Sequence, residues 1–257
     1  MSFPKANYEE IAKTYDLNPV RKEIPLDLDL QDCIENNTLE SFKILDLACG
    51  TGNYLAVQTQ AFSQPFLEWH GLDHSTAMLE MARTKVPYVN YLHSRADTDL
   101  PYENESFHFI INTFAFHHFQ DKFKALDEIQ RVLKPKGVFK LVNICPEMMP
   151  KQWIFHYFPE TWYVDLKRCW KGELILHELE NRGFNVSLSI TTDLKRVPLQ
   201  ELYQQALNRD ISELCLISDP VYHQGLRRME LELEQSPQQE FLNQFSLLTC
   251  VASRDSV

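Results

Sequence analysis

Apolar and polar positions change period again and again along this chain. Tyr8, Ile11, Ala12 and Tyr15 recur at helical spacing, with Asn7 placed to cap them. Residues 26–42 predict a second short helix with Leu30, Ile34 and Cys33 turned inward. From there, short apolar runs alternate with amphipathic stretches. Strands are expected at 43–47, 66–72, 89–93, 107–112 and 138–143. Helices are expected between them. One spans 53–62, the next is capped by Ser75 and stopped by Pro87, and the third spans 121–133 with Phe123, Leu126, Ile129 and Leu133 in register. The fourth strand is apolar on both faces, as a buried parallel strand is. Residues 97–105 read as a loop around Pro101, and 134–137 as a turn.

The second part of the chain has another texture. Trp153, Phe155, Tyr157, Phe158, Trp162, Tyr163 and Trp170 crowd a stretch broken by Pro146, Pro150 and Pro159. Helices are expected at 173–182, 198–207 and 220–233, and strands at 186–190 and 245–251. The sum is a doubly wound α/β fold with seven strands, mostly parallel, and an aromatic-rich cap inserted into it. The whole chain, 1–257, reads as one domain. Its core lies at about 40–145, and the N-terminal helices (1–39) and the segment 146–240 are expected to cover the active site.

Right-handed crossovers bring the strand C-termini to one edge, where such sheets bind ligands. The chain puts its most informative residues there. The first strand carries Asp46 and breaks into Gly50-Thr51-Gly52; the second ends at Asp73, about twenty residues on. Small residues let backbone approach a ligand, and an acid at that distance suits a ribose diol. Asp97 and Asn112 reach the same edge. A pocket for a nucleoside-bearing cofactor follows. The third glycine of a dinucleotide fingerprint is missing, because Leu55 stands there, and this lowers a dehydrogenase reading.

Composition narrows the partners. The formal net charge is −11 and the basic residues are dispersed, so a small-molecule substrate is expected rather than nucleic acid. No apolar run reaches the ~18 residues of a membrane span. Residues 1–16 are polar and acidic, unlike a secretory leader. Six scattered cysteines without a Cys-x-x-Cys pair suit reduced thiols in the cytoplasm and predict no metal site. Oligomeric state is left open.

Together these motifs resemble the class I S-adenosylmethionine-dependent methyltransferases, in particular the small-molecule group that includes the ubiquinone and menaquinone methyltransferases. The resemblance is carried by residues 45–53 (Leu-Asp-Leu-Ala-Cys-Gly-Thr-Gly-Asn) and by 71–79 (Gly-Leu-Asp-His-Ser-Thr-Ala-Met-Leu). Arg95-Ala96-Asp97 through Phe107, Phe109 to His118, and Arg131 to Gly137 complete it. It spans roughly Tyr8 to Asn143 and implies methyl transfer from S-adenosyl-L-methionine to a small organic acceptor, leaving S-adenosyl-L-homocysteine. The electrophile arrives activated, so alignment in a dry pocket is the main task of such a protein.

The resemblance also implies site residues. Gly50, Thr51 and Gly52 would face the methionine part, with Asp46 organising the turn. Asp73 would accept from the ribose hydroxyls, His74 and Met78 would flank the adenine, and Asp97 would accept from its amino group beside Ala96 and Thr98. The Asn112 main chain would lie near the methionine amino group, and Tyr15 and Arg21 would close over the carboxylate. His117 is the candidate general base or acceptor contact, and His156 and Tyr157 are candidate acceptor contacts. Two other readings stay open: a metalloid methyltransferase using Cys49, Cys145, Cys169 and Cys215, and a catalytically silent cofactor-binding module. An RNA methyltransferase is disfavoured by the acidic balance.

Overall fold

The computed structural model describes residues 7–18, 21, 23–38, 40–209 and 211–255. Eleven α-helices and seven strands follow one another among them. The first part runs α1 (Tyr8–Tyr15), α2 (Leu28–Glu35), β1 (Phe42–Leu47), α3 (Asn53–Ala61), β2 (Leu67–Asp73), α4 (Thr76–Lys85), β3 (Asn90–His93), β4 (Phe107–Thr113), α5 (Lys122–Val132) and β5 (Leu133–Ile144). The second part runs α6 (Trp153–Tyr157), α7 (Glu160–Arg168), α8 (Gly172–Glu180), β6 (Phe184–Pro198), α9 (Leu199–Asn208), α10 (Ser212–Cys215), α11 (Asp219–Gln235) and β7 (Glu240–Arg254).

The strands form one sheet in the order β3-β2-β1-β4-β5-β7-β6. The pairs β1–β2, β1–β4, β2–β3 and β4–β5 are parallel. The order reverses between β1 and β4, so the switch point lies beside the end of β1. The expected doubly wound α/β sheet with an aromatic insertion is therefore what the chain forms. β4 is buried along most of its length, which explains its unbroken apolar run.

The chain divides into two compact units. The first comprises 8–143, 172–189 and 249–255; the second comprises residue 7, 144–171 and 190–248. In the first unit Leu30, Ile44, Leu55, Leu79, Phe109 and Ile111 make up a core cluster. Asp27 fixes the start of α2: its carboxylate accepts from Leu30 N, from the Tyr54 hydroxyl at 2.8 Å and from Lys140 Nζ at 2.6 Å. In the second unit the aromatic stretch is largely core. Trp153, Phe155, Tyr157 and Phe158 pack with Leu202, Tyr222, Leu226 and Met229, whereas Trp162 and Tyr163 are exposed.

Several strand ends depart from the sequence reading, for physical reasons. β5 starts at Leu133, five residues early, because the expected turn at 134–137 stays in the strand. Lys136 adopts φ 63°, and the β4–β5 register shifts between Phe107 and Phe109. β6 and β7 each run for 15 residues. Beyond Ile190, β6 is polar and almost entirely exposed, so no buried face gives its sequence an alternation to read. α2 is shorter than expected and ends at Glu35.

Candidate active site

The turn after β1 is a run of left-handed backbone: Ala48 at φ 65°, Gly50 at 54° and Gly52 at 76°. Two backbone bonds hold it, from Cys49 N to Leu72 O at 2.9 Å and from Gly52 N to Cys49 O at 3.0 Å. Gly52 then serves as N-cap of α3 without a side chain. Both glycines are needed, for different reasons. A Cβ on Gly52 would stand 3.1 Å from the Ala82 Cβ, whereas one on Gly50 would meet nothing within 4 Å. The backbone of Gly50 thus borders open space, beside the N-terminus of a nine-residue helix with no acid in its first turn. Such a cradle suits a ligand carboxylate.

The three expected acids are in different states. Asp73 binds the turn itself: Oδ2 accepts from Gly50 N and Oδ1 from Ser75 N, both at 2.9 Å. A carboxylate has about four acceptor positions, so its lone pairs are not exhausted. Asp46 is buried, and its Oδ2 has no hydrogen-bond partner among the described residues. Burial first, then the negative charge of Asp73, push its carboxyl up to about 8. Asp97 is heavily engaged: it pairs with Arg95 at 2.8 Å and accepts from Gln120 N at 2.6 Å. It ties the loop after β3 to the start of α5.

The remaining expected residues fall as follows. Asn112 at the end of β4 is fully buried; its Nδ2 donates to Leu47 O at 2.6 Å, and its Oδ1 has no partner among the described residues. His74 is half exposed, with Nδ1 3.6 Å from Asp73 Oδ1. Met78 is buried in α4, its N–H bonded to the Ser75 cap. Ala96 is buried and Thr98 exposed, the Thr98 hydroxyl donating to Arg95 O. Tyr15 and Arg21 meet: the guanidinium lies 3.9 Å from the Tyr15 ring centroid and donates to the Tyr15 carbonyl. His117 is buried and its Nδ1 lies 2.6 Å from Asn143 Oδ1. His156 and Tyr157 belong to the second unit. His156 lines an open 540 Å³ groove with Lys151, Phe155 and Phe241, and the Tyr157 hydroxyl donates to Glu232.

Sequence reasoning missed the residues that tie α1 and the chain after it to the turn. Asp16 accepts from the Thr51 hydroxyl at 2.8 Å, from Asn53 Nδ2 at 3.0 Å and from Lys85 Nζ at 2.9 Å. Glu9 accepts from Thr76 N and Ala77 N, beside the Ser75 cap of α4. The Tyr8 hydroxyl lies 2.8 Å from His118 Nε2. These partners are 35 to 110 residues apart in sequence, and no local pattern announces them. Among the described residues no three His, Cys, Asp or Glu side chains gather as a metal site. Nor is any helix there long and apolar enough to cross a membrane.

A parallel sheet that switches at β1/β4, with a glycine cradle and acids at that switch, defines a nucleoside-cofactor α/β enzyme. A family model described as a methyltransferase domain matches residues 44–137. The demethylmenaquinone methyltransferase of Thermotoga maritima is 31% identical over 159 residues, 60% of this chain and 68% of that protein. The ubiquinone/menaquinone biosynthesis C-methyltransferase of Campylobacter jejuni is 28% identical over 174 residues, 57% of this chain and 72% of its own. In fold, the chain resembles a SAM-dependent methyltransferase from Aquifex aeolicus, with TM-score 0.55, 16% identity and coverage of 96% and 99%. This chain belongs to the class I S-adenosylmethionine-dependent methyltransferases and is related, within them, to the demethylmenaquinone methyltransferases. It is an enzyme that moves a methyl group from S-adenosylmethionine to a small organic acceptor.

The residues present fit that cofactor. The Gly50 backbone borders open space, and Asp46 Oδ2 and Asn112 Oδ1 have no hydrogen-bond partner among the described residues, a lack that an ammonium-bearing ligand would meet.

Proposed function

We propose that the acceptor is a quinol-type ring, a hydroxylated arene with an electron-rich carbon, and that the sheet edge of the first unit holds the methyl donor. The relatives' names supply the acceptor class. The observation that carries the donor site is the left-handed turn at 48–52 with the unpartnered Asp46 beside it. In this reading Gly50, Thr51 and Gly52 line the methionine part, and Tyr15 and Arg21 stand by its carboxylate. Asp46 and Asn112 serve the ammonium end, and Asp73 accepts from the ribose. His74 and Met78 stand by the adenine faces, and Ala96, Asp97 and Thr98 by its amino edge. His117 acts on the acceptor. His156 and Tyr157 remain acceptor-side candidates within the second unit.

Bound S-adenosylmethionine supplies a methyl group on a positive sulfonium, ready for in-line displacement. The protein's work is then to orient, to exclude water and to manage protons. The anchored turn fixes one partner, since its backbone is bonded to Asp73 and, through Thr51, to Asp16. The scattered cysteine thiols fit a cytoplasmic setting.

The test is transfer of a labelled methyl from S-adenosylmethionine to a reduced short-chain demethylmenaquinone, with mass analysis of the product. Ring methylation that falls about tenfold or more on Asp73→Ala at limiting methyl donor is expected. Labelling of a different acceptor class in cell extract, with none on the quinol, would overturn the acceptor assignment.

A further inference from the structure

Two carboxylates are bonded to the turn that is read as the seat of the donor's carboxylate. Asp73 takes Gly50 N, and Asp16 takes the Thr51 hydroxyl at 2.8 Å. A further negative charge brought to the same turn is repelled, and more strongly where protein shields the charges from water. The side chains of Asp16 and its partner Lys85 are 18% and 27% exposed. A cation that answers the charge of Asp16 is therefore needed at this place.

Lys85, the last residue of α4, supplies it. An ammonium has three hydrogens to donate. Here they go to Asp16 Oδ2 at 2.9 Å, to the Thr51 hydroxyl oxygen at 3.3 Å and to Asn53 Oδ1. All three are taken within the protein, so Lys85 has none to offer a ligand. Asp16 uses its other oxygen, Oδ1, for the Thr51 hydroxyl and for Asn53 Nδ2 at 3.0 Å. The same Nδ2 also donates to Arg21 O. The chain leaving α1, the turn after β1 and the end of α4 are thus joined in one polar knot at the N-terminus of α3. Asp16 directly follows Tyr15, and Arg21 is held by its carbonyl. The two residues read as standing by the donor's carboxylate are carried on the segment that this knot ties down.

We infer that Lys85 is a positioning residue for the methyl donor: it cancels the charge of Asp16, which lets a carboxylate tie the segment bearing Tyr15 and Arg21 to the turn without repelling the carboxylate of the incoming donor. The inference rests on the donor-site reading given above and adds to it a residue that touches no ligand. Lysine suits the place because its three donors diverge from one compact nitrogen toward three acceptors, which a flat guanidinium does not match.

The experiment titrates the full chain calorimetrically with S-adenosylhomocysteine and with methylthioadenosine, which shares the adenosine and lacks the carboxylate. Lys85→Met leaves the Asp16 charge unanswered. It is expected to weaken S-adenosylhomocysteine about tenfold and methylthioadenosine less than about twofold. The loss is expected to shrink as salt rises from about 20 mM to about 500 mM, because ions screen partly exposed charges. Asp16→Asn removes the charge and keeps Oδ1 for Thr51 and Asn53, so it is expected to bind S-adenosylhomocysteine at least as tightly as wild type. Combining the two substitutions restores neutrality, and the double variant is expected to bind more tightly than Lys85→Met alone. Equal losses for both ligands, a loss indifferent to salt, or a double variant weaker than Lys85→Met would overturn the inference, since each would make the lysine a prop of the fold alone. Thermal unfolding checks each variant. If Lys85→Met does not fold, Asp16→Asn decides, and weaker S-adenosylhomocysteine binding by it would overturn the inference. Asp73→Ala, run alongside, tests the donor site itself. Unchanged affinity for both ligands in that variant would overturn the donor-site reading, whereas a loss there with none in Lys85→Met would overturn only the role of Lys85.

Discussion

Replacing Asp46 with Asn should make the cofactor-free protein more stable at neutral pH and worse at holding its cofactor. Asp46 is buried with one oxygen unpartnered, and its carboxyl is raised from 3.8 to about 8 by burial and by Asp73. The unfolded chain loses this proton above about pH 4, whereas the folded protein keeps it until about pH 8. Between those values the folded state binds more protons, so stability falls as pH rises, by about 1.4 kcal/mol per pH unit. At pH 7 the accumulated cost is about 4 kcal/mol, an upper figure because the Asn amide has its own buried hydrogens to satisfy. Urea unfolding of both proteins at pH 5 and pH 7 isolates the effect, since all other titrations are shared. The stability gap in favour of Asp46→Asn should widen by about 3 kcal/mol between the two conditions. A gap that stays constant with pH would mean that Asp46 does not keep its proton in the folded protein. Calorimetry should show weaker S-adenosylmethionine binding by the same variant, the exchange of stability for function common at ligand sites.

Asp73→Ala should weaken S-adenosylmethionine binding by about 1.5–3 kcal/mol, the range for hydrogen bonds to a charged group; unchanged calorimetric affinity would remove Asp73 from the site. Gly52→Ala should cost about 1–2 kcal/mol in urea unfolding, because φ 76° is the left-handed region and the new Cβ would crowd Ala82 at 3.1 Å. Glu128, held down to about 2 chiefly by its hydrogen bond with Arg131, stabilises the fold above about pH 4.5. That contribution is lost as pH falls through about 2. Glu128→Gln should therefore be less stable than wild type at pH 7 and equal to it near pH 2, as read by thermal unfolding.

Much of the fold could be read locally. Ile44–Leu47 and Phe107–Ile111 announce buried strands by apolar runs, and α4 announces itself by Ser75 at its cap and an apolar stripe. α1 falls at the predicted Tyr8–Tyr15. These features depend on neighbours a few residues apart. The long β6 was illegible beyond its apolar start, because an exposed strand leaves no hydrophobic period behind.

For the site, local residue order sets the chemistry available at the sheet edge: two glycines in a tight turn, and acids at the ends of β1 and β2. The burial of Asp46 with its Oδ2 unpartnered among the described residues, the hold of Asp16 and Glu9 on the turn and on α4, and the pairing of His117 with Asn143 arose only on folding. The physical reason is range. Backbone conformation and strand periodicity are set by adjacent residues, whereas desolvation and hydrogen-bond partnership depend on groups that only folding brings within about 3 Å.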